Sequence, residues 1–111
     1  MEVAFFVRPG GRSPVREAIA ALAKSDQARF VDVAKGIERY GFACPRVRFR
    51  QLEGKLWEIK FSTASGGFRI AYVVVVRERM VWLHVFRKEG RRTPRRDLEL
   101  AQQRMKEVLG A

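Results

Sequence analysis

The sequence predicts an α+β domain in the order βααββββα, a mostly antiparallel sheet with two N-terminal helices on one face and a C-terminal helix. Three observations carry this. Helical spacing dominates up to Gly41, two-residue alternation takes over after Pro45, and Thr93-Pro94 opens a final stretch with helical spacing again. With 111 residues, 47% of them apolar and 11% aromatic, the chain suits a single domain, residues 1–111, around one modest core.

"EVAFFVR" (residues 2–8) is rich in β-formers and stops at Pro9-Gly10-Gly11, which predicts a first strand. Ser13 then supplies an N-cap and Pro14 a preset first helical residue, with Val15, Ile19 and Leu22 at helical spacing as far as about residue 24. Ser25 or Asp26 is expected to cap a second helix whose stripe is Phe30, Val33, Ala34 and Ile37 and whose C-cap glycine is Gly41. Gly36 inside it weakens that helix by about 1 kcal/mol. Four strands follow: "VRFRQL" (47–52), "KLWEIKFS" (55–62), "FRIAYVVVV" (68–76) and "MVWLHVFRK" (80–88). Their connections, 53–54, 63–67 and 77–79, are short enough for an antiparallel meander. The last helix carries Leu98, Ala101, Met105 and Val108 on one face and ends at Gly110.

Charge narrows the partners. The chain has 23 Lys and Arg against 12 Asp and Glu, a formal charge of +11, so folding works against self-repulsion that a polyanion would relieve. Nucleic acid is the first candidate, an acidic protein the second and a membrane surface the third. The longest apolar run, "IAYVVVV" (70–76), is far short of the roughly 20 residues that cross a bilayer. No N-terminal stretch reads as a signal peptide, which makes the cytoplasm the expected location and a membrane partner unexpected. Cys44 is the sole cysteine, which excludes an internal disulfide and a cysteine zinc cage.

Alternation along the strands assigns Trp57, Ile59, Phe61, Phe68, Ile70, Tyr72 and Val74 to the core. Arg48, Arg50, Glu58, Lys60, Arg69, His84 and Lys88 fall on the opposite face, which is expected to be open, with Trp82 and Phe86 among them. In the last strand the aliphatic trio Val81, Leu83 and Val85 is expected to face the helices. Cations interleaved with aromatic rings suit a single nucleic-acid strand, whose bases stack while its phosphates are neutralised. A solvated face with salt bridges such as Glu58 to Arg69 is the simpler alternative. Between Arg87 and Arg96 there are six basic residues and one acidic, Glu89. Arg95 and Arg96 stand in the first turn of a helix, where the macrodipole favours anions, so Lys88, Arg91 and Arg92 together with that helix end form a candidate phosphate site.

The residues limit the chemistry. Glu53, Glu58, Glu78 and Glu89 lack the grouping of a magnesium site, and no cofactor or metal is expected. A serine or cysteine hydrolase has only His84 to work with and no nucleophile-elbow motif. Phosphodiester cleavage without a metal or a protein nucleophile leaves the 2′-hydroxyl of RNA as the attacking group. His84, Glu58 or Lys60 is then a candidate base, Arg69 a charge stabiliser, and Lys88 or a loop arginine the acid or a second stabiliser.

"LEGKLWEIKFSTASGGFRIAYVV" followed by "WLHVFRKEGRRTPRRDLELAQQRMKEVL" resembles the RelE/HigB-type toxins of bacterial type II toxin–antitoxin pairs, in the phage-related branch of the RelE/ParE superfamily. The resemblance rests on L-x-G-x-L-W-E-[IL]-[KR] at residues 52–60, [FY]-R-[IV]-x-Y at 68–72, and F-x-K at 86–88 with T-P and a helix beyond, and it covers about residues 52–109. It implies a RelE-like fold and a metal-independent, ribosome-dependent mRNA endoribonuclease, an mRNA interferase that inhibits translation. It also implies a cognate antitoxin, often with a helix-turn-helix domain, through which alone DNA would be a partner. By position, Arg69 matches the arginine after the hairpin, Lys60 the strand lysine and Lys88 the basic residue ending the last strand. Glu58 stands where some relatives carry a second lysine, and residues 89–111 contain no tyrosine, so base and acid stay open. A ParE-like gyrase inhibitor and a noncatalytic nucleic-acid or ribosome binder are the alternatives. The endoribonuclease reading needs Lys60, Arg69 and Lys88 on one exposed cationic surface.

Overall fold

A computed structural model describes residues 1–76 and 78–110. Its elements follow the predicted order: β1 (Glu2–Phe5), α1 (Pro14–Ala20), α2 (Lys24–Tyr40), a 3-10 turn (Gly41–Ala43), β2 (Arg48–Glu53), β3 (Leu56–Thr63), β4 (Gly66–Val75), β5 (Arg79–Arg87) and α3 (Arg95–Leu109). The five strands form one sheet in the order β1-β5-β4-β3-β2, antiparallel except for β1, which runs parallel to β5. The first strand ends at Phe5 rather than Arg8. The 63–67 connection shrinks to Ala64-Ser65, because both flanking glycines join β4. The expected 77–79 connection falls partly on Arg77, outside the described residues.

Local signals at the helix ends succeed where a side chain reaches a free amide and fail where another bond wins. Ser13 Oγ accepts from the Arg16 N–H at 3.1 Å and Pro14 opens α1, as its position predicts. Neither Ser25 nor Asp26 caps α2; Ala23 occupies the N-cap without a side-chain bond. Gln27 fastens the α1–α2 junction instead, its Nε2 donating to the Leu22 and Ala20 carbonyls at 2.8 and 3.2 Å. Asp26 is buried and accepts the Ser65 hydroxyl at 2.6 Å, tying the β3–β4 turn to the first turn of α2. That hydroxyl is the main reason the Asp26 carboxyl sits below its ordinary pKa. Gly36 is tolerated in α2 because a Cβ there would lie 2.7 Å from Cys44 Sγ, where the 3-10 turn folds back on the helix.

Helices α1 and α2 cover one sheet face. Phe30 of α2 meets Phe61 and Phe68 edge-on at 4.9 and 5.1 Å, and Trp82 stacks on Phe5 at 5.3 Å beside Ile19. The opposite face, expected to be open, is covered by α3 and the segment leading into it. The alternation breaks at a bulge: Ala71 pairs with His84 but Tyr72 with Trp82, so Leu83 is the extra residue on β5. Trp82 therefore turns to the α1–α2 side and is fully buried, a correction to its expected place among the cations, and Val81, Leu83 and Val85 do not form one continuous face. The bulge is secured from α3, whose buried Arg104 donates from Nη1 to the Leu83 carbonyl at 2.8 Å. Burial disfavours the Arg104 charge and lowers its pKa, a cost offset by that bond and by its place over the Phe6 ring.

Replacing Arg104 by Leu removes that donor and leaves a buried carbonyl unpaired. We expect Arg104→Leu to lose about 1–3 kcal/mol of stability, read as a lower urea midpoint at unchanged slope.

Candidate functional site

Strand register explains how the charged residues meet. Arg48, Lys60, Arg69 and Phe86 form one row across β2, β3, β4 and β5, and Arg50, Glu58, Ala71 and His84 form the parallel row two residues along. All eight side chains therefore project to the α3 face, as alternation dictates. What alternation does not report is the cover.

Glu58 and Arg69 are both 0% exposed, contrary to the expectation of an open face. Glu58 Oε1 accepts from Arg50 Nη2 at 2.6 Å and lies 3.8 Å from Arg69 Nε, while Oε2 accepts from the Thr93 hydroxyl at 2.8 Å. The Arg69 guanidinium donates from Nη2 to the carbonyls of Gly90 and Arg91 at 2.9 and 2.8 Å, and from Nη1 to Thr93 Oγ1 at 3.3 Å. Thus the segment from Lys88 to Pro94 lies against the charged rows, held by polar bonds. The cross-strand ion pair expected between Glu58 and Arg69 is present, but as the long side of a buried network.

His84 is also committed. Its Nε2 is 2.7 Å from Asp97 Oδ1 in the first turn of α3, and its ring stacks on Phe86 at 4.9 Å. Burial lowers its pKa, with Asp97 pulling the other way, so near neutrality the ring is uncharged and its Nε2–H donates to Asp97.

Lys60 and Lys88, in contrast, line an open cleft of about 500 Å³ together with Arg29, Arg46, Arg48 and Ser62. Gly67 forms the wall beneath Lys88; a Cβ there would press on the Lys88 chain at 3.2 Å. Lys60 is partly exposed, and burial followed by the fields of Arg50, Lys88 and Arg69 lowers its pKa, with Glu58 opposing. Arg29 reaches the cleft over the Phe61 ring, 5.5 Å from its centroid, and donates to the Arg46 carbonyl at 3.3 Å.

Of the residues singled out from sequence, the structure gathers Lys60, Lys88 and Arg48 in the cleft. It sets Arg69, Glu58 and Arg50 in the network behind it, and His84 under α3, so the exposed cationic surface expected of Lys60, Arg69 and Lys88 holds for the two lysines and fails at Arg69, which is sealed beneath the segment 88–94. Arg91, Arg92, Arg95 and Arg96 are exposed on the segment around the start of α3. Arg95 lies 3.6 Å from Glu99, and Arg96 3.5 Å from Glu89. Arg29 and Arg46 escaped the sequence reading. Arg46 continues the alternation of Arg48 and Arg50, a usable signal; Arg29 arrives from a distant helix and has none. Among the described residues no three His, Cys, Asp or Glu side chains group as metal ligands.

Two outcomes follow from the buried groups. Glu58→Ala leaves two guanidiniums without their carboxylate, so about 3–5 kcal/mol of stability should be lost, with faster proteolysis in the segment 88–94. The depressed His84 pKa means the unfolded chain takes its proton first as pH falls. The stability it confers is therefore complete above its ordinary 6.5 and declines below that value. Melting temperatures measured from pH 8 to 5 should fall less steeply for His84→Gln than for the parent chain.

Residues 17–106 match the family described as Phage derived protein Gp49-like (DUF891), a span that takes in every residue of the cleft and of the network behind it. No curated protein matches the chain. The family is associated with the toxins of toxin–antitoxin systems. With most of its length inside that match, the chain belongs to the phage-derived Gp49-like family, a RelE/toxin-like family.

Proposed function

We propose that this chain is the toxin of a type II toxin–antitoxin pair and acts as a metal-independent endoribonuclease on mRNA held in the ribosome, with the scissile phosphate in the cleft between Lys60 and Lys88. One observation carries the reading: Lys60, its pKa lowered by burial and by three cationic neighbours, lines a cleft whose other charged side chains are all positive. An ammonium in that field is relieved either by an anion or by losing its proton, and a phosphodiester beside a 2′-hydroxyl makes use of both.

In the proposed reaction the 2′-oxygen attacks the adjacent phosphorus while neutral Lys60 takes its proton. Arg48 and Lys88 neutralise the oxygens of the pentacovalent phosphorane. The bond to the 5′-oxygen breaks and that oxygen takes a proton from the Lys88 ammonium, leaving a 2′,3′-cyclic phosphate. Arg69 is a positioning residue, because its hydrogen bonds are spent on the Gly90 and Arg91 carbonyls while its charge bears on Lys60. Glu58 balances Arg50 and Arg69, and His84 with Asp97 fixes α3; neither lines the cleft. Arg91, Arg92, Arg95 and Arg96 steer ribosomal RNA, and a cognate antitoxin with a helix-turn-helix domain silences the protein.

Lys60→Arg keeps the charge but replaces an ammonium whose pKa is lowered by a guanidinium that stays protonated, so it separates binding from chemistry. Cleavage of mRNA on translating ribosomes, mapped by primer extension, should fall roughly 10²–10⁴-fold while RNA affinity is retained. In the parent chain the rate should rise with pH until Lys60 is deprotonated, and that rise should vanish in the variant. Undiminished cleavage by Lys60→Arg removes Lys60 as the base; inhibited DNA supercoiling without cut transcripts replaces the reading with gyrase inhibition.

A further inference from the structure

The face beneath α1 and α2 is not covered to its end. Ile59 and Ile70 are fully buried, yet two residues along β3 Trp57 is 36% exposed, and four residues along β4 Val74 is 38% exposed. Beyond the end of α2 the 3-10 turn presents Phe42, 54% exposed, whose ring meets Phe49 edge-on at 5.1 Å. Phe42, Phe49, Lys55, Trp57, Tyr72 and Val74 line an open pocket of about 540 Å³, a size typical of binding pockets. It shares no lining residue with the cationic cleft; Trp57 stands three positions before Lys60, roughly 10 Å along the strand.

Tyr72 adds a second observation. It is 1% exposed with its ring 6.5 Å from Phe42 and 6.2 Å from Phe49, and its buried hydroxyl has no hydrogen-bond partner among the described residues. Buried phenols ordinarily find an acceptor. In this apolar surround the hydroxyl stays protonated, since burial alone drives its pKa far upward, so it is a donor without a use. Charge then selects the occupant. A second copy would bring another +11 against the first, whereas an acidic chain is attracted to the molecule as a whole and to Lys55 at this pocket.

We infer that this pocket docks an apolar anchor side chain carried on an acidic segment of a partner protein, with a partner oxygen accepting from the Tyr72 hydroxyl and a partner carboxylate meeting Lys55. The inference does not depend on RNA cleavage. It places the partner at a surface distinct from the cleft, so docking there does not by itself occlude Lys60 and Lys88.

The test uses the full chain and a displayed library of glutamate-rich decapeptides with two randomised central positions. Selection should enrich aromatic or branched aliphatic residues at those positions. The enriched peptides, made synthetically, should bind Val74→Glu at least about tenfold more weakly, and Tyr72→Phe measurably more weakly. Both variants should keep the parent's circular dichroism and RNA affinity. Enrichment of polar residues, no enrichment, or equal binding to Val74→Glu overturns the proposal, as does a dimer of the parent chain that Val74→Glu dissolves. Because the variants retain the cleft, loss of RNA cleavage in Lys60→Arg and loss of peptide binding in Val74→Glu are read separately.

Discussion

The Glu58 carboxylate is the interaction on which the arrangement of the site depends. A single buried acid lies between two guanidiniums and a hydroxyl, and through Arg69 and Thr93 it reaches the segment that joins β5 to α3. Taking such charges out of water is costly, and their mutual attraction offsets that cost only when nearly every proton and lone pair finds a partner. Here the Gly90 and Arg91 carbonyls supply the missing acceptors, so the segment folds down as a condition of burying Arg69. The placement of Lys88 follows, because its backbone N–H pairs with the Gly67 carbonyl at the other end of the same segment.

That network also sets the electrostatics of the cleft. One acid against Arg50 and Arg69 leaves the neighbourhood positive, and Lys60, in the next row, feels the excess together with Lys88. The cleft is lined by uncompensated cations because of this imbalance.

Much of the fold was legible because it is written in local period. The shift from helical to two-residue spacing gave the element order, and alternation put Arg48, Arg50, Glu58, Lys60, Arg69 and His84 on one face. Three things escaped it. The bulge at Leu83 inverts the facing of the residues before it, so Trp82 joined the wrong side; one inserted residue leaves the local pattern plausible either way. The cover over the charged face comes from long-range contacts of α3 and the segment 88–94, and a strand's alternation carries no record of what lies on top of it. Asp26 looked like a helix cap because caps and turn anchors use the same short acid, and only the position of Ser65, 39 residues away, decides between them.

The basic stretch before α3 illustrates why charge density alone misleads. Its residues divide by what their nitrogen atoms find. Lys88 faces the cleft, while Arg95 and Arg96 meet exposed carboxylates at distances near 3.5 Å, contacts worth little in water. None of those side chains holds the segment down; that is done by its own carbonyls of Gly90 and Arg91, accepting from an arginine on β4, and by the Thr93 hydroxyl, donating to Glu58. The self-repulsion is therefore borne by a segment whose anchorage does not use its own charges. Substituting its exposed arginines leaves every one of those anchoring bonds in place, so the segment is free to vary its charge for the sake of a partner without giving up its position.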